Sequence, residues 1–231
     1  FCMDSGYRIK QLKNFRVTTN SLGVTRFPNL IKDIKLTGVN QVFVSDITYY
    51  DLGSRTHYLT FIMDLYNREI VGYSESDNLR TENTTIPALH RLVRLRGKAN
   101  LKGAIMHSDG GGQYYCNEFK ALTKELGMIN SMTEEKVYEN AHAERLNGVI
   151  KNNYLYPYGP TNVASLRRLL DKAVYMYNTG KPHKALRKLT PIMFKSTIDN
   201  EDNSTSNLPL STVNHHYKIR DSLSIKNVNV I

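Results

Sequence analysis

From residue 41 to 78 the hydrophobic and polar positions read as three short extended runs separated by turns. Val42, Val44, Asp46 and Thr48 fall on one face of an extended run, with Phe43, Ser45, Ile47 and Tyr49 on the other. A second run rich in β-branched and aromatic residues, 56–65, follows the turn signal Asp51-Leu52-Gly53-Ser54, and a third, 68–76, comes at once after it. Connections this short allow only antiparallel pairing, because a parallel pair needs a long crossover. Beyond residue 80 the period lengthens. Residues 84–96 predict a helix with Ile86, Leu89, His90 and Val93 on one stripe, 103–108 a buried strand, 118–126 a helix stopped by Gly127, and 128–132 a last short strand. Helices are expected again over 140–152 and 163–177. The order βββ-α-β-α-β-α predicts an α/β fold, a mixed five-stranded sheet flanked by helices. Residues 1–40 show no sustained period, and 196–212, rich in Asn, Ser, Thr and Asp, reads as a polar linker or tail.

Charge adds a partition to this picture. The 231 residues carry a formal net charge of +10, but unevenly: +5 over 1–40, −4 over 41–79, +5 over 80–102, −3 over 103–143, +8 over 144–195 and −1 over 196–231. A chain that only neutralises phosphates has little use for acidic blocks, whereas one that binds nucleic acid and also holds cations needs both. The alternative is solvated charge on helix faces. No apolar run approaches the roughly 18 residues that span a bilayer, and the start shows no signal peptide. The chain opens on Phe1 rather than Met, which reads as a fragment. Cys2 and Cys116, without a Cys/His cluster, support neither a disulfide framework nor structural zinc, and a reducing, cytoplasmic compartment is the simplest expectation.

Three carboxylates stand out. Asp46 lies in mid-strand, where a charge needs compensation; pairing with an arginine is the plain reading. Asp109 follows the apolar strand and precedes Gly110-Gly111-Gly112, at a strand end where ligands bind in α/β sheets, although a glycine run is often only a turn. Glu144 shares a helical stripe with Asn140, Gly148 and Lys151, an unusual inner face and an ordinary solvent-facing one. If the first and fourth strands are neighbours, Asp46 and Asp109 converge with Glu144 carried over them. Converging carboxylates repel unless cations sit between them. Two magnesium ions held by these three acids would relieve that repulsion and support phosphoryl transfer.

The stretches Gln41-Val42-Phe43-Val44-Ser45-Asp46-Ile47-Thr48-Tyr49, His107-Ser108-Asp109-Gly110-Gly111-Gly112-Gln113-Tyr114 and Glu139-Asn140-Ala141-His142-Ala143-Glu144-Arg145 resemble the catalytic core of DDE transposases of bacterial insertion sequences, the retroviral integrase-like group. Between Asp109 and Glu144 stand 34 residues, close to that family's gap. Tyr177-Asn178-Thr179-Gly180-Lys181-Pro182-His183 and Thr190-Pro191 resemble its C-terminal signature. The resemblance covers about residues 10–195. It departs at Phe43, where Trp is common, at Lys181, where Arg is common, at Glu139 in place of Asp, and over 133–138, so that Glu134, Glu135 and Glu139 are rivals to Glu144 as third ligand.

What the resemblance implies is a ribonuclease H-like fold, with a catalytic core at 41–178 between a basic N-terminal extension, 1–40, and a C-terminal basic segment and polar tail, 179–231. It implies that Asp46, Asp109 and Glu144 are catalytic and bind two Mg2+ ions, with Mn2+ as substitute, and that Lys151, Asn140 and Arg145 contact DNA. The implied activity is metal-dependent 3′-end cleavage and strand transfer, on transposon ends and target DNA in the bacterial nucleoid. A homo-oligomer in a synaptic complex, and a helix-turn-helix partner from an upstream frame, are the expected partners. A nuclease of the same fold that does not join strands, and a DNA-binding remnant or accessory protein, are the alternatives. His107 and Tyr114 match the pattern without an assigned chemical step.

Overall fold

The computed structural model describes residues 27–134 and 140–204, with side chains to residue 200. Five strands, β1 (Val42–Leu52), β2 (Arg55–Asp64), β3 (Ile70–Ser76), β4 (Ile105–Ser108) and β5 (Ile129–Met132), form one sheet in the order β3-β2-β1-β4-β5. The β1–β2–β3 meander is antiparallel, and β4 and β5 add in parallel on the far side of β1. The expected adjacency of the first and fourth strands therefore holds. Between β1 and β2, Gly53 alone takes positive φ (+61°), the requirement of the first central position in a two-residue hairpin turn whose twist matches the strands.

Helices α1 (Thr85–Arg96), the single turn α2 (Gly112–Tyr115) and α3 (Asn117–Glu125) cover one face; α4 (Ala141–Ile150) and α5 (Val163–Gly180) cover the other. The alternation of β1 sorts its side chains between two cores. Phe43 packs with Leu89, Leu92, Met106 and Phe119, while Val42, Val44 and Tyr50 pack with Leu146, Ile150, Leu166 and Leu170. Asp46, in phase with Val44, faces the α4–α5 side. The asparagine cap of α5 is reciprocal: Asn162 Oδ1 accepts from the Ser165 amide at 2.8 Å, and Ser165 Oγ accepts from the Asn162 amide at 3.1 Å.

Four expectations shift. The third strand begins at Ile70 rather than 68, because the Asp64 carboxylate accepts the Tyr66 amide and the Arg68 amide returns to the Asp64 carbonyl, closing a turn with Arg68 at φ +62°. The inward stripe of α1 is Thr85, Ala88, Leu89, Leu92 and Arg96, one residue off the reading that included the exposed His90. Two contacts set that phase. Gly72 lets β3 approach so closely that a Cβ there would overlap the Ala88 carbonyl oxygen, and Arg96 is drawn inward onto buried Glu69 and Asp64. The helix expected over 163–177 is α5 (Val163–Gly180), three residues longer. Finally, the first part of the expected linker, 196–204, belongs to helix α6 (Pro191–Ser204): Thr190 Oγ1 accepts from the Met193 amide at 3.2 Å and Pro191 opens the first turn. The rest of the expected tail, with most of the N-terminal extension, Cys2, Glu135 and Glu139, lies outside the described residues.

Candidate active site

Strands β1 and β4 run parallel with Ser45 opposite Ser108, so the next residue on each, Asp46 and Asp109, meets its counterpart at the mouth of the sheet. Both acids are held partly by neighbouring backbone: the Ile47 amide of β1 donates to Asp46 Oδ1 (2.9 Å) and the Gly111 amide to Asp109 Oδ1 (3.1 Å). Gly111 belongs there, since a Cβ would stand 3.0 Å from that same oxygen. Burial, and then the charge of Asp109, push Asp46 up to about 8, with a smaller contribution from Glu144; burial likewise raises Asp109. Among the described residues neither acid is in an ion pair. Among the described residues no arginine pairs with Asp46, so the plain reading of an Asp–Arg pair is not met there.

Helix α4 lies over this pair and presents a polar seam to β1. Asn140 Nδ2 donates to the Ser45 carbonyl (2.9 Å), Asn147 Nδ2 to Asp46 Oδ2 (2.7 Å), and Lys151 Nζ to Thr48 Oγ1 (2.8 Å). The seam is 140, 147, 151, one turn of it different from the stripe read in the sequence: Glu144 is exposed and Gly148 half-buried. Asn140 thus steadies the backbone beside Asp46 rather than Glu144. Asn147 was not singled out in the sequence, although its spacing of seven from Asn140 and four from Lys151 carried the signal. Its Oδ1, like that of Asn140, is buried without a partner. Lys151 is lowered by burial and its ammonium sits 5.0 Å from the Tyr49 ring.

Beneath the acids is a hydroxyl pair. Ser45 Oγ donates to the Phe61 carbonyl at 2.9 Å, which leaves the Tyr114 hydroxyl to donate to Ser45 Oγ at 2.8 Å. Buried Tyr114 is raised well above its usual value by desolvation and by the charges of Asp46 and Asp109. His107 is fully buried and its Nδ1 meets Ser131 Oγ at 2.9 Å, a structural contact. Arg145 is exposed on another flank of α4, near Arg68; burial and the charges of these arginines push His142 down to about 4, and burial, then the charge of Lys181 and of the same arginines, do so for His183. Glu134 accepts from the Asn29 amide at 3.2 Å, so this rival acid ties down the N-terminal approach.

The donor set suits a hard divalent cation. Two carboxylates converge, each raised by burial, with no protein cation paired to them, and a third lies on the first turn of α4. Among the described residues, no three His, Cys, Asp or Glu side chains are gathered into a finished cage. Asp46 and Asp109 form the floor; Glu144 stands at the rim.

A parallel-cored mixed sheet with paired acids at the β1–β4 mouth and a third over them defines the class: a ribonuclease H-like polynucleotidyl transferase core. Comparison with known proteins makes this particular. Two models of the integrase core domain match residues 37–136 and 129–191. The 31 kDa protein of insertion element IS600 of Shigella sonnei is 32% identical over 195 residues, 81% of this chain and 70% of that protein. A putative transposase, InsK of IS150 from Escherichia coli, is 27% identical over 193 residues, 80% of this chain and 65% of the relative. The chain therefore belongs to the integrase-core family of insertion-element transposases, and spans about two thirds of the length of these relatives. Among solved structures, the HTLV-2 integrase catalytic core in complex with magnesium shares the fold (TM-score 0.55, 20% identity, 68% of this chain and 96% of that one). So does a simian T-cell lymphotropic virus intasome chain (TM-score 0.58, 16% identity, 83% and 60%). Among the described residues no helix is long and apolar enough to cross a membrane.

Proposed function

We propose that this chain cuts and joins DNA strands as the catalytic core of an insertion-element transposase, with Asp46, Asp109 and Glu144 binding two divalent cations, Mg2+ or Mn2+. The observation that carries the reading is the convergence of Asp46 and Asp109 at the parallel β1–β4 mouth with no protein cation paired to either. When bound, such ions activate the attacking oxygen and stabilise the leaving oxygen of an in-line displacement at phosphorus. The protein's own side chains do the positioning. Asn147 holds one oxygen of Asp46 while the Ile47 amide holds the other; Asn140 fixes the strand backbone from which Asp46 projects; the exposed Glu144 closes the set from α4. Lys151, with one ammonium hydrogen on Thr48, keeps others for a phosphate beside the acids, and Arg145 extends the cationic surface.

The first displacement, by water, frees a 3′-hydroxyl at the transposon end; the second, by that hydroxyl, joins it to target DNA. The catalytic core spans 41–178, with 1–40 and 179–231 as flanking DNA-binding or partner-binding segments. A homo-oligomer joining two ends, and a helix-turn-helix partner encoded upstream, complete the machine in the bacterial nucleoid. The two acids are in place and unpaired, which favours an enzyme over a DNA-binding remnant. The test is metal-dependent cleavage and strand transfer of terminal DNA by Asp46→Asn and Asp109→Asn proteins: both activities vanish, and undiminished joining in either variant overturns the assignment.

A further inference from the structure

Past Ile150 the helix loosens into a wide π turn, 151–155, that carries the chain over the end of β1. The segment that follows, Tyr156-Pro157-Tyr158-Gly159-Pro160, is unusual for its exposed rings: Tyr156 is 42% and Tyr158 65% exposed. Tyr156 is held in place. Tyr156 stacks on buried Tyr50 with centroids 5.5 Å apart and planes 26° from parallel, its amide donates to the Lys151 carbonyl (2.9 Å), and the Gly159 amide closes onto Leu155 (3.0 Å). Cations flank both ends: Lys172 Nζ lies 5.8 Å from the Tyr158 ring, and Lys151 Nζ 5.0 Å from that of Tyr49.

Outward-facing aromatic rings, one of them stacked in place, with lysines close by, are what unpaired nucleotides require. The rings stack on bases of any sequence, and the ammonium groups meet the phosphates between them. We infer that Tyr156 and Tyr158 form a stacking platform for unpaired bases of the DNA strand held at the carboxylates. The inference rests on the reading of the chain as a DNA-processing core, and the geometry sets the distance. Tyr50 lies four residues along β1 from Asp46, about 13 Å; Tyr156 lies twelve residues along the helix path from Glu144, about 18 Å at α-helical rise. At a rise of roughly 3.4 Å per nucleotide, the platform meets bases about four to five positions from the reacting phosphate. Strand opening near the transposon end is thereby given a place to put its displaced bases, and the two tyrosines select for ends that melt readily.

The test separates bases from phosphates. Binding of the full chain to a labelled oligothymidylate and to an abasic oligomer of the same length is measured by fluorescence anisotropy, for wild type, Tyr156→Ala/Tyr158→Ala and Tyr156→Phe/Tyr158→Phe. The double alanine variant weakens oligothymidylate binding about five- to 150-fold for each base unstacked and leaves abasic binding unchanged; the double phenylalanine variant binds like wild type. Photocrosslinking of an iodouridine placed four to five positions from the cleaved bond maps to 156–158. Equal losses on both oligomers, or none on either, overturn the inference, as does a wild type that binds the two alike. Because no step of the assay uses the carboxylates, its failure is distinct from failure of the catalytic reading, which shows as terminal DNA left uncut by wild type with metal.

Discussion

Asn178 lies within the stretch Tyr177-Asn178-Thr179-Gly180-Lys181-Pro182-His183, yet it is fully buried and far from chemistry. Its side chain acts as a strand. Oδ1 accepts from the Ile70 amide at 2.9 Å and Nδ2 donates to the Ile70 carbonyl at 2.9 Å, so one amide satisfies both backbone groups at the open edge of β3. Replacement by Leu keeps the branched outline but not the polar atoms, and leaves a buried donor and a buried acceptor unpaired. At roughly 1–3 kcal/mol for each orphan the expected loss is about 2–6 kcal/mol, a large part of the 5–15 kcal/mol typical of a domain. For a chain of this size each kcal/mol moves Tm by about 2–4 °C, so thermal unfolding followed by far-ultraviolet circular dichroism is lowered by about 5–20 °C. Asn178→Asp, which keeps the acceptor but has no donor and buries a charge, falls at least as far. Hydrogen exchange at the Ile70 amide accelerates in both. A Leu variant melting within 2 °C of wild type refutes the assignment, and so does one that melts normally but has lost its activity.

Asp46 gives a pH signature. Its carboxyl is raised from 3.8 to about 8, so the folded protein holds a proton that the unfolded chain releases; stability from this group is complete below about 4 and is lost as pH rises through 8. Metal-free Asp46→Asn protein therefore matches wild type near pH 4 and gains on it by at most about 1.4 kcal/mol per pH unit toward pH 8, and a gap in Tm that does not widen with pH contradicts this. Asn147→Leu removes the donor to Asp46 and weakens Mg2+ binding about 10- to 100-fold in calorimetric titration, the usual effect of losing a group that orients a ligand. Gly72→Ala forces a methyl into the Ala88 carbonyl and destabilises by about 1–3 kcal/mol in denaturant unfolding, whereas Gly38→Ala, with nothing near the new methyl, changes little.

The sheet was legible because β1, β2 and β3 alternate and their connections are too short for anything but a meander. The acid pair was legible because a mid-strand Asp and a strand-end Asp become neighbours once β1 and β4 pair. What escaped depended on contacts between distant segments. The phase of α1 is set by Gly72 and by the buried Arg96–Glu69–Asp64 group, whose members show no local pattern. Asn147 looks like any polar helix residue until Asp46 is opposite it. Helix α6 was hidden by its polar composition, because Thr190 and Pro191 define its start more than any apolar stripe does.

The placement of Asp46 and Asp109 on adjacent parallel strands also separates them, in chain order, from what covers them. All five strands are encoded before residue 133, whereas α4 and α5 follow it. That later stretch supplies the Asn147 and Lys151 contacts to β1 and the apolar partners of Val42, Val44 and Tyr50. A product ending in the 133–140 interval therefore carries both acids but leaves one face of its sheet bare, so truncation there removes core as much as site.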